Sequence, residues 1–337
     1  MELLSIVQLL SGYKILNQLD FAYKQEVLKR FTPFQAHPAV TCFAELSAKG
    51  FAFGAPVEMI LCLSAPPELS PVRPFTEFAL RRAGGQGNVD RFVSLLRRFA
   101  ADADFAGFAA AHREAYAGMV AMVRSRLENT DDVGLLEKYY GMRQHSYTFI
   151  FAPLIHGGGF GVRFAAAGKT FDIYSVCGPR EALDGQPQVR PTEDFRYLLW
   201  HEFSHSFINP ASASQAGRFA PYAGLIEVIK QRGYLKGREK DLEGVPPDLV
   251  WGECIDEHVV RAVTARLAFL VYGAEARDRR LQTEVGNGFI FTPAIAKCLE
   301  GYEAHRDKYP TIVDYFGRIA DAFGEIARQE KVVRSEK

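Results

Sequence analysis

Thr192-Glu-Asp-Phe-Arg-Tyr-Leu-Leu-Trp-His201-Glu202-Phe-Ser-His205-Ser-Phe-Ile208-Asn-Pro210 is the stretch on which the reading of this chain turns. Pro191 and Thr192 mark a helix start, with Thr192 as N-cap and the acidic Glu193 and Asp194 at the positive end of the helix dipole. Asn209 and Pro210 mark its stop. Inside that helix His201 and His205 are four residues apart, so both imidazoles leave one face with Cβ atoms about 6 Å apart, close enough to share an ion. Zinc favours neutral imidazole nitrogen in a tetrahedral shell, and a catalytic site keeps one position for a water whose pKa falls to about 7. Glu202, between the histidines, is then placed to act as the base. Two helical histidines can also do no more than pack or hydrogen-bond. Here, however, they share a stripe with Leu198 and Ile208, while Glu202 follows Phe195 and Leu199, so all three polar groups point toward buried surface. Burial without a partner would be costly.

A catalytic zinc needs a third protein ligand. A three-histidine motif would require glycine at 208 and histidine at 211, but the chain has Ile208 and Ala211. The later helical stretch Leu249–Tyr272 supplies Glu253 and Glu257, one turn apart at the edge of an apolar arc of Ile255, Val259, Val263, Leu267 and Leu270. Glu257 is favoured as the ligand and Glu253 is held in reserve. Asp256 falls inside the arc and suits the role of hydrogen-bond acceptor for a ligand imidazole. Glu257 could instead simply pair with Arg261 at i+4. Donors for an oxyanion would come from His258, Arg261, Tyr302, His305 or Tyr309.

His201-Glu202-x-x-His205 followed by a glutamate on a later helix resembles the gluzincin class of zinc peptidases. That resemblance implies a zinc held by His201, His205 and a glutamate, a zincin-like catalytic region, and a peptide or protein substrate. The 51 residues 206–256 exceed the usual spacing of that class, so Glu257 and Glu253 both stay open. More narrowly, Glu2-Leu-Leu-Ser-Ile, His201 to Pro210, Asp256 to Ala262 and Arg306 to Thr311 resemble a bacterial family known only as a domain of unknown function. Its members often carry export signals, which implies an extracytoplasmic location if a leader has been removed. The first residues here, Met1 to Gly12, do not read as a secretory signal.

Outward from the motif the chain is that of an ordinary globular protein. Its 337 residues are 48% apolar and 12% aromatic, enough for a large core. Forty basic residues balance forty acidic ones, so no global field draws it to nucleic acid or an anionic membrane. Apolar runs such as Met59–Leu63 and Ala268–Tyr272 fall far short of the roughly 18 residues a membrane span needs, and a soluble protein is expected. The five cysteines are scattered, which suggests buried free thiols rather than disulfides or a thiolate metal site.

Three- and four-residue apolar spacing predicts two helices in Glu2–Arg30, a pair in Ala39–Leu63, and further helices at Phe75–Arg82, Val89–Ala101 and Phe105–Leu127. Short aromatic and β-branched runs at Ser146–Leu154, Gly159–Ala166 and Thr170–Val176 predict a small antiparallel sheet. Helices return at Thr192–Ile208, Tyr222–Arg232, Leu249–Tyr272, Pro293–Ala304 and Ile312–Arg328, with a loop at Lys236–Glu243. The expected fold is therefore α+β and mainly helical: an N-terminal helical region (1–135), then a catalytic region (136–337) whose small sheet lies next to the metal-bearing helix, with the cleft between them.

Two weaker signals are set aside. His156-Gly-Gly-Gly-Phe-Gly161 looks like an esterase oxyanion loop, but no Gly-x-Ser-x-Gly elbow accompanies it. Gly168-Lys169-Thr170 matches half a phosphate loop, yet the required upstream glycine is Arg163. The function expected is zinc-dependent amide hydrolysis with Glu202 as general base. The rival is a non-catalytic protein that keeps zinc and uses the cleft to hold a peptide.

Overall fold

Apolar residues at helical spacing dominate the chain, and helices dominate its computed structural model, which describes residues 1–242 and 245–332. The stretch Gln86–Asp102 shows the rule, since Val89, Phe92, Val93, Leu96, Phe99 and Ala100 form one stripe and all are buried. The chain forms two compact units, each assembled from several stretches.

The first unit comprises Met1–Thr130, Thr148–Val162 and Tyr174–Leu198. It begins with eight helices: α1 (Glu2–Leu10), α2 (Ala22–Phe31), α3 (Pro38–Ala48), α4 (Gly54–Leu61), α5 (Glu77–Ala83), α6 (Gln86–Asp102), α7 (Phe105–Ala111) and α8 (Arg113–Leu127). The single helix expected over Phe105–Leu127 is thus two, broken at His112, whose Nδ1 lies 2.8 Å from the Phe108 carbonyl. Phe31, Phe43, Phe92 and Phe99 are fully enclosed in the core of this unit. The glycine-rich stretch after His156 is a turn leading into a strand, its Gly158 amide donating to His156 Nδ1 at 3.0 Å.

The second unit comprises Asp131–Tyr147, Arg163–Ile173 and Leu199–Lys337. Its helices are α9 (Asp132–Tyr140), the later part of α10 (Thr192–Ser214), α11 (Ala216–Phe219), α12 (Leu225–Arg232), α13 (Pro247–Tyr272), α14 (Ala274–Gly286), α15 (Thr292–Ala304) and α16 (Ile312–Gln329). Thr311 and Asp314 close a capping box at the start of α16. Of the expected charged loop, residues 239–242 form a short 3-10 turn, while Glu243 lies outside the described residues.

Three strands form one sheet in the order β1-β3-β2: β1 (Ser146–Phe151), β2 (Gly159–Ala165) and β3 (Phe171–Cys177). The β2–β3 pair is antiparallel, as expected, closed by a turn in which Gly168 takes φ 67° and the Ala166 amide reaches the Thr170 carbonyl at 2.9 Å. That turn is the reading of Gly168-Lys169-Thr170. The expectation of a wholly antiparallel sheet needs correction at β1. His145 N donates to Phe171 O at 3.0 Å and Ala152 N to Cys177 O at 2.8 Å, so partner numbers rise together and β1 runs parallel to β3. Periodicity reveals that a segment is a strand and not which neighbour it pairs with.

Five further elements escape the sequence reading. β4 (Glu181–Leu183) and β5 (Gln186–Gln188) make an antiparallel hairpin over Asp184-Gly185, both at positive φ, a dipeptide that is itself a strong turn signal. Helix α14 is polar nearly throughout, with only Ala276 and Glu284 buried, and so shows no apolar stripe. Helix α9 is nine residues long and interrupted by Gly134, whose amide is capped by Asp131. Helix α11 is a four-residue turn.

Helix α10 does not stop at Asn209-Pro210 but continues to Ser214. Proline there removes one backbone donor and crowds the carbonyl of Ser206. The helix persists because Phe207, Ile208 and Ala211 on either side are buried, and tertiary packing outweighs local propensity. The rotation of α10 within the second unit is set by the side opposite the histidines. Trp200 Nε1 donates to Asp132 Oδ1 at 2.6 Å, Phe207 stacks on Tyr140 at a 4.3 Å centroid distance, and Phe203 meets Tyr147 edge-on at 5.3 Å. Replacing Asp132 by Ala removes this acceptor from a fully buried indole N–H, and a loss of about 1–3 kcal/mol is expected. Urea unfolding checks this, and an unchanged midpoint would refute the anchoring role.

Candidate metal centre

His201 and His205 sit in the middle of α10, and Glu257 sits midway along α13. The three side chains converge: one potential ligand atom from each lies within 4.8 Å of the others. The two Nε2 atoms are 3.2 Å apart. Glu257 Oε2 is 3.7 Å from His201 Nε2, and Glu257 Oε1 is 3.5 Å from His205 Nε2. Glu202, next to His201, is buried at 5% exposure.

The neighbours of this cluster hold it in place. His205 Nδ1 lies 3.1 Å from Asn209 Oδ1, one turn further along α10. An amide oxygen only accepts, so Nδ1 carries the proton and the Nε2 lone pair faces the cluster. Arg163 Nη1 donates to the His205 carbonyl at 3.2 Å. On α13, Arg261 grips Glu257 Oε2 with Nε at 3.1 Å and Nη2 at 2.9 Å. Its Nη1 donates to Glu284 of α14 at 2.7 Å, and Glu284 in turn meets Arg280 at 2.5 Å. Burial opposes the Arg261 charge, but the carboxylates of Glu257 and Glu284 more than offset it and raise the pKa. The guanidinium also lies 3.6 Å from the centroid of the Phe289 ring.

The matching family model is Domain of unknown function (DUF4932), over residues 1–322. The chain belongs to this family. No curated protein and no solved structure matches it.

In this DUF4932 chain the other residues singled out by sequence go to different places. Glu253 is exposed and lies outside the three-residue cluster. Asp256 does not accept from an imidazole. Its carboxylate accepts from the Ser212 hydroxyl, and its pKa is pushed up to about 6 by burial, against the opposing pull of that hydrogen bond. The acceptor on His205 is Asn209 instead, which the i, i+4 spacing could have indicated. Leu270, placed in the apolar arc of α13, is half exposed, because burial along α13 runs from Val250 to Ala268 and ends there.

Among the suggested oxyanion donors, Arg261 alone contacts the cluster, and Glu257 and Glu284 engage it. His258 points into the core, its Nδ1 2.7 Å from the Cys254 carbonyl and its ring among Tyr234, Phe289 and Phe291. Burial pushes its pKa down to about 4. Tyr302 donates to the Tyr139 carbonyl at 2.7 Å, His305 bonds the Gly301 carbonyl, and Tyr309 packs on Tyr315. Glu284 and Arg280 carried no sequence signal, since they lie on the helix without an apolar stripe.

A metal-binding imidazole whose other N–H is held by an acceptor is better oriented and more basic, and losing that acceptor typically weakens metal affinity about 10–100-fold. Asn209→Ala is expected to show that loss in a chelator competition titration with zinc. Affinity equal to the parent would remove Asn209 from the ligand scaffold.

Proposed function

We propose that this chain is a zinc-dependent hydrolase that cleaves amide bonds in peptides or proteins. The triangle formed by His201 Nε2, His205 Nε2 and the Glu257 carboxylate carries the reading. A tetrahedral shell with zinc–nitrogen bonds of 2.0–2.1 Å places its donors about 3.3 Å apart. The two histidine nitrogens are 3.2 Å apart, and Glu257 brings one oxygen to 3.5 Å from His205 and the other to 3.7 Å from His201, so the donor set suits zinc in chemistry and lies near that spacing. The side chains of His201, His205 and Glu257 keep 10%, 15% and 20% exposure, so the cluster is not sealed from solvent. A histidine pair on one helix with a glutamate on a later one is also the ligand pattern of the gluzincin peptidases, which the motif resembles.

Zinc, when bound, supplies Lewis acidity that polarises a carbonyl oxygen and makes water acidic enough to lose a proton near neutral pH. Glu202, enclosed beside His201, accepts that proton as the water oxygen bonds to the scissile carbon. The same carboxyl then gives the proton to the departing nitrogen as the carbon–nitrogen bond breaks. Asn209 fixes the tautomer of His205, and Arg261 fixes the orientation of Glu257. Arg261 therefore acts as a positioning residue.

The test combines metal analysis of protein purified without added zinc with cleavage of a broad peptide library. Stoichiometric zinc, hydrolysis abolished by a chelator and its return on adding zinc are expected. Glu257→Ala is expected to lose the metal and the activity together, whereas Glu253→Ala retains both. Hydrolysis that survives chelation, or zinc lost with Glu253 and not with Glu257, overturns the assignment.

A further inference from the structure

Beyond the His201–His205–Glu257 cluster, the C-terminal half of α10, residues 216–223 and the first half of α13 line a half-open cavity of about 450 Å³ within the second unit. This places the open space beside the histidines between two helices, where the sequence reading put the cleft between sheet and helix. Asn209 and Ser212 enter its wall from α10, and Trp251, Ile255 and Asp256 from α13. Asn209 is one turn past His205, and Asp256 is the neighbour of Glu257. A helical turn rises 5.4 Å, so the cavity opens about one residue's length from the cluster.

Most of the wall is apolar. Small residues, including Ala213 and Gly217, line it together with the faces of Trp251 and Ile255. The polar wall groups are largely occupied: Asn209 holds His205, Ser212 bonds Asp256, and Trp251 Nε1 donates to the Phe219 carbonyl at 3.0 Å. Asp248 adds an exposed carboxylate to the lining. An apolar cavity of roughly 150 Å³ accommodates benzene, so this one has ample room for an aromatic side chain. Carboxylates at Asp248 and Asp256 repel acidic side chains.

We infer that this cavity is a specificity pocket for one bulky aromatic or aliphatic side chain of the substrate, on a residue flanking the scissile amide, and that it rejects acidic side chains. The inference rests on the hydrolase reading for the position of the scissile bond. A substrate carbonyl at the cluster sets the neighbouring residue over Asn209 and Asp256, where the cavity begins.

Two readouts test it. The first is the cleavage profile of the zinc-loaded protein on a peptide library. The second, independent of turnover, is the affinity of hydroxamate-capped dipeptides whose residue beside the chelating group is Phe, Leu, Ala or Glu. Phe and Leu are expected to bind at least about tenfold more tightly than Ala or Glu, a usual discrimination for an apolar pocket. Gly217 and Gly252 both line the cavity and a Cβ added at either meets nothing within 4 Å, so Gly217→Leu and Gly252→Leu are the substitutions that test filling it. Both are expected to bring the Phe-to-Ala ratio close to one. Hydroxamates ranked as expected without any peptide cleavage would overturn the peptidase reading and leave the pocket standing. Equal affinities across the series, or a ratio unmoved by both leucine variants, would overturn the pocket even if peptides are cleaved.

Discussion

Glu202→Gln is expected to lower peptide hydrolysis by about 10²–10⁴-fold, the usual contribution of a positioned general base, while zinc content stays at the parental level. Glutamine matches the size of glutamate, so the packing around this buried position is retained. What disappears is the capacity to take a proton from water and return it to the leaving nitrogen. The three groups proposed as ligands are untouched, which separates a chemical defect from a metal-binding one. The measurement pairs single-turnover cleavage with metal analysis of the same preparation. A variant that binds zinc and hydrolyses at the parental rate removes Glu202 from the mechanism. A parent that binds zinc tightly and cleaves nothing favours the rival in which the centre only holds a peptide.

Arg261→Met should cause the largest loss of stability. Glu284 is fully enclosed and ion-paired with Arg261 and Arg280, and Arg261 spans from Glu284 to Glu257. Removing one member of a buried ion network leaves an undercompensated charge and typically costs about 3–5 kcal/mol. Arg280 still holds Glu284, which places the expected loss near about 3 kcal/mol at the lower end of that range. Methionine fills much of the volume, so the loss reports charge and hydrogen bonding rather than a void. Thermal unfolding of the metal-free protein measures it without interference from ligand linkage. Arg261→Lys keeps the charge but not the forked donors that reach both carboxylates, and an intermediate loss is expected. An unfolding midpoint of Arg261→Met within error of the parent would show that the network contributes little. Weakened zinc affinity in the same variant would trace the orientation of Glu257 to this guanidinium.

The elements found from sequence are those whose burial leaves a period. Helix α6 shows its core stripe residue by residue, and β1, β2 and β3 stand out by their aromatic and β-branched content. Helix α14 did not, since its structural work is done by one buried carboxylate, and a charged residue inside a core looks like any surface charge until its partners are in place. The continuation of α10 past Pro210 was hidden for a related reason: a local stop signal was overruled by burial on both sides of it. The parallel pairing of β1 with β3 depends on where a distant strand returns, which no local pattern records.

For the candidate site, the pairing of His201 with His205 was determined by sequence alone, because four-residue spacing on a helix brings side chains together whatever the rest of the chain does. Sequence narrowed the third member to two glutamates one turn apart. Only tertiary structure brought Glu257 rather than Glu253 to the histidines, and only it supplied the Arg261–Glu284 brace and the cavity beyond. Those features depend on how α10, α13 and α14 are rotated against one another, and that rotation is the outcome of packing across the whole second unit.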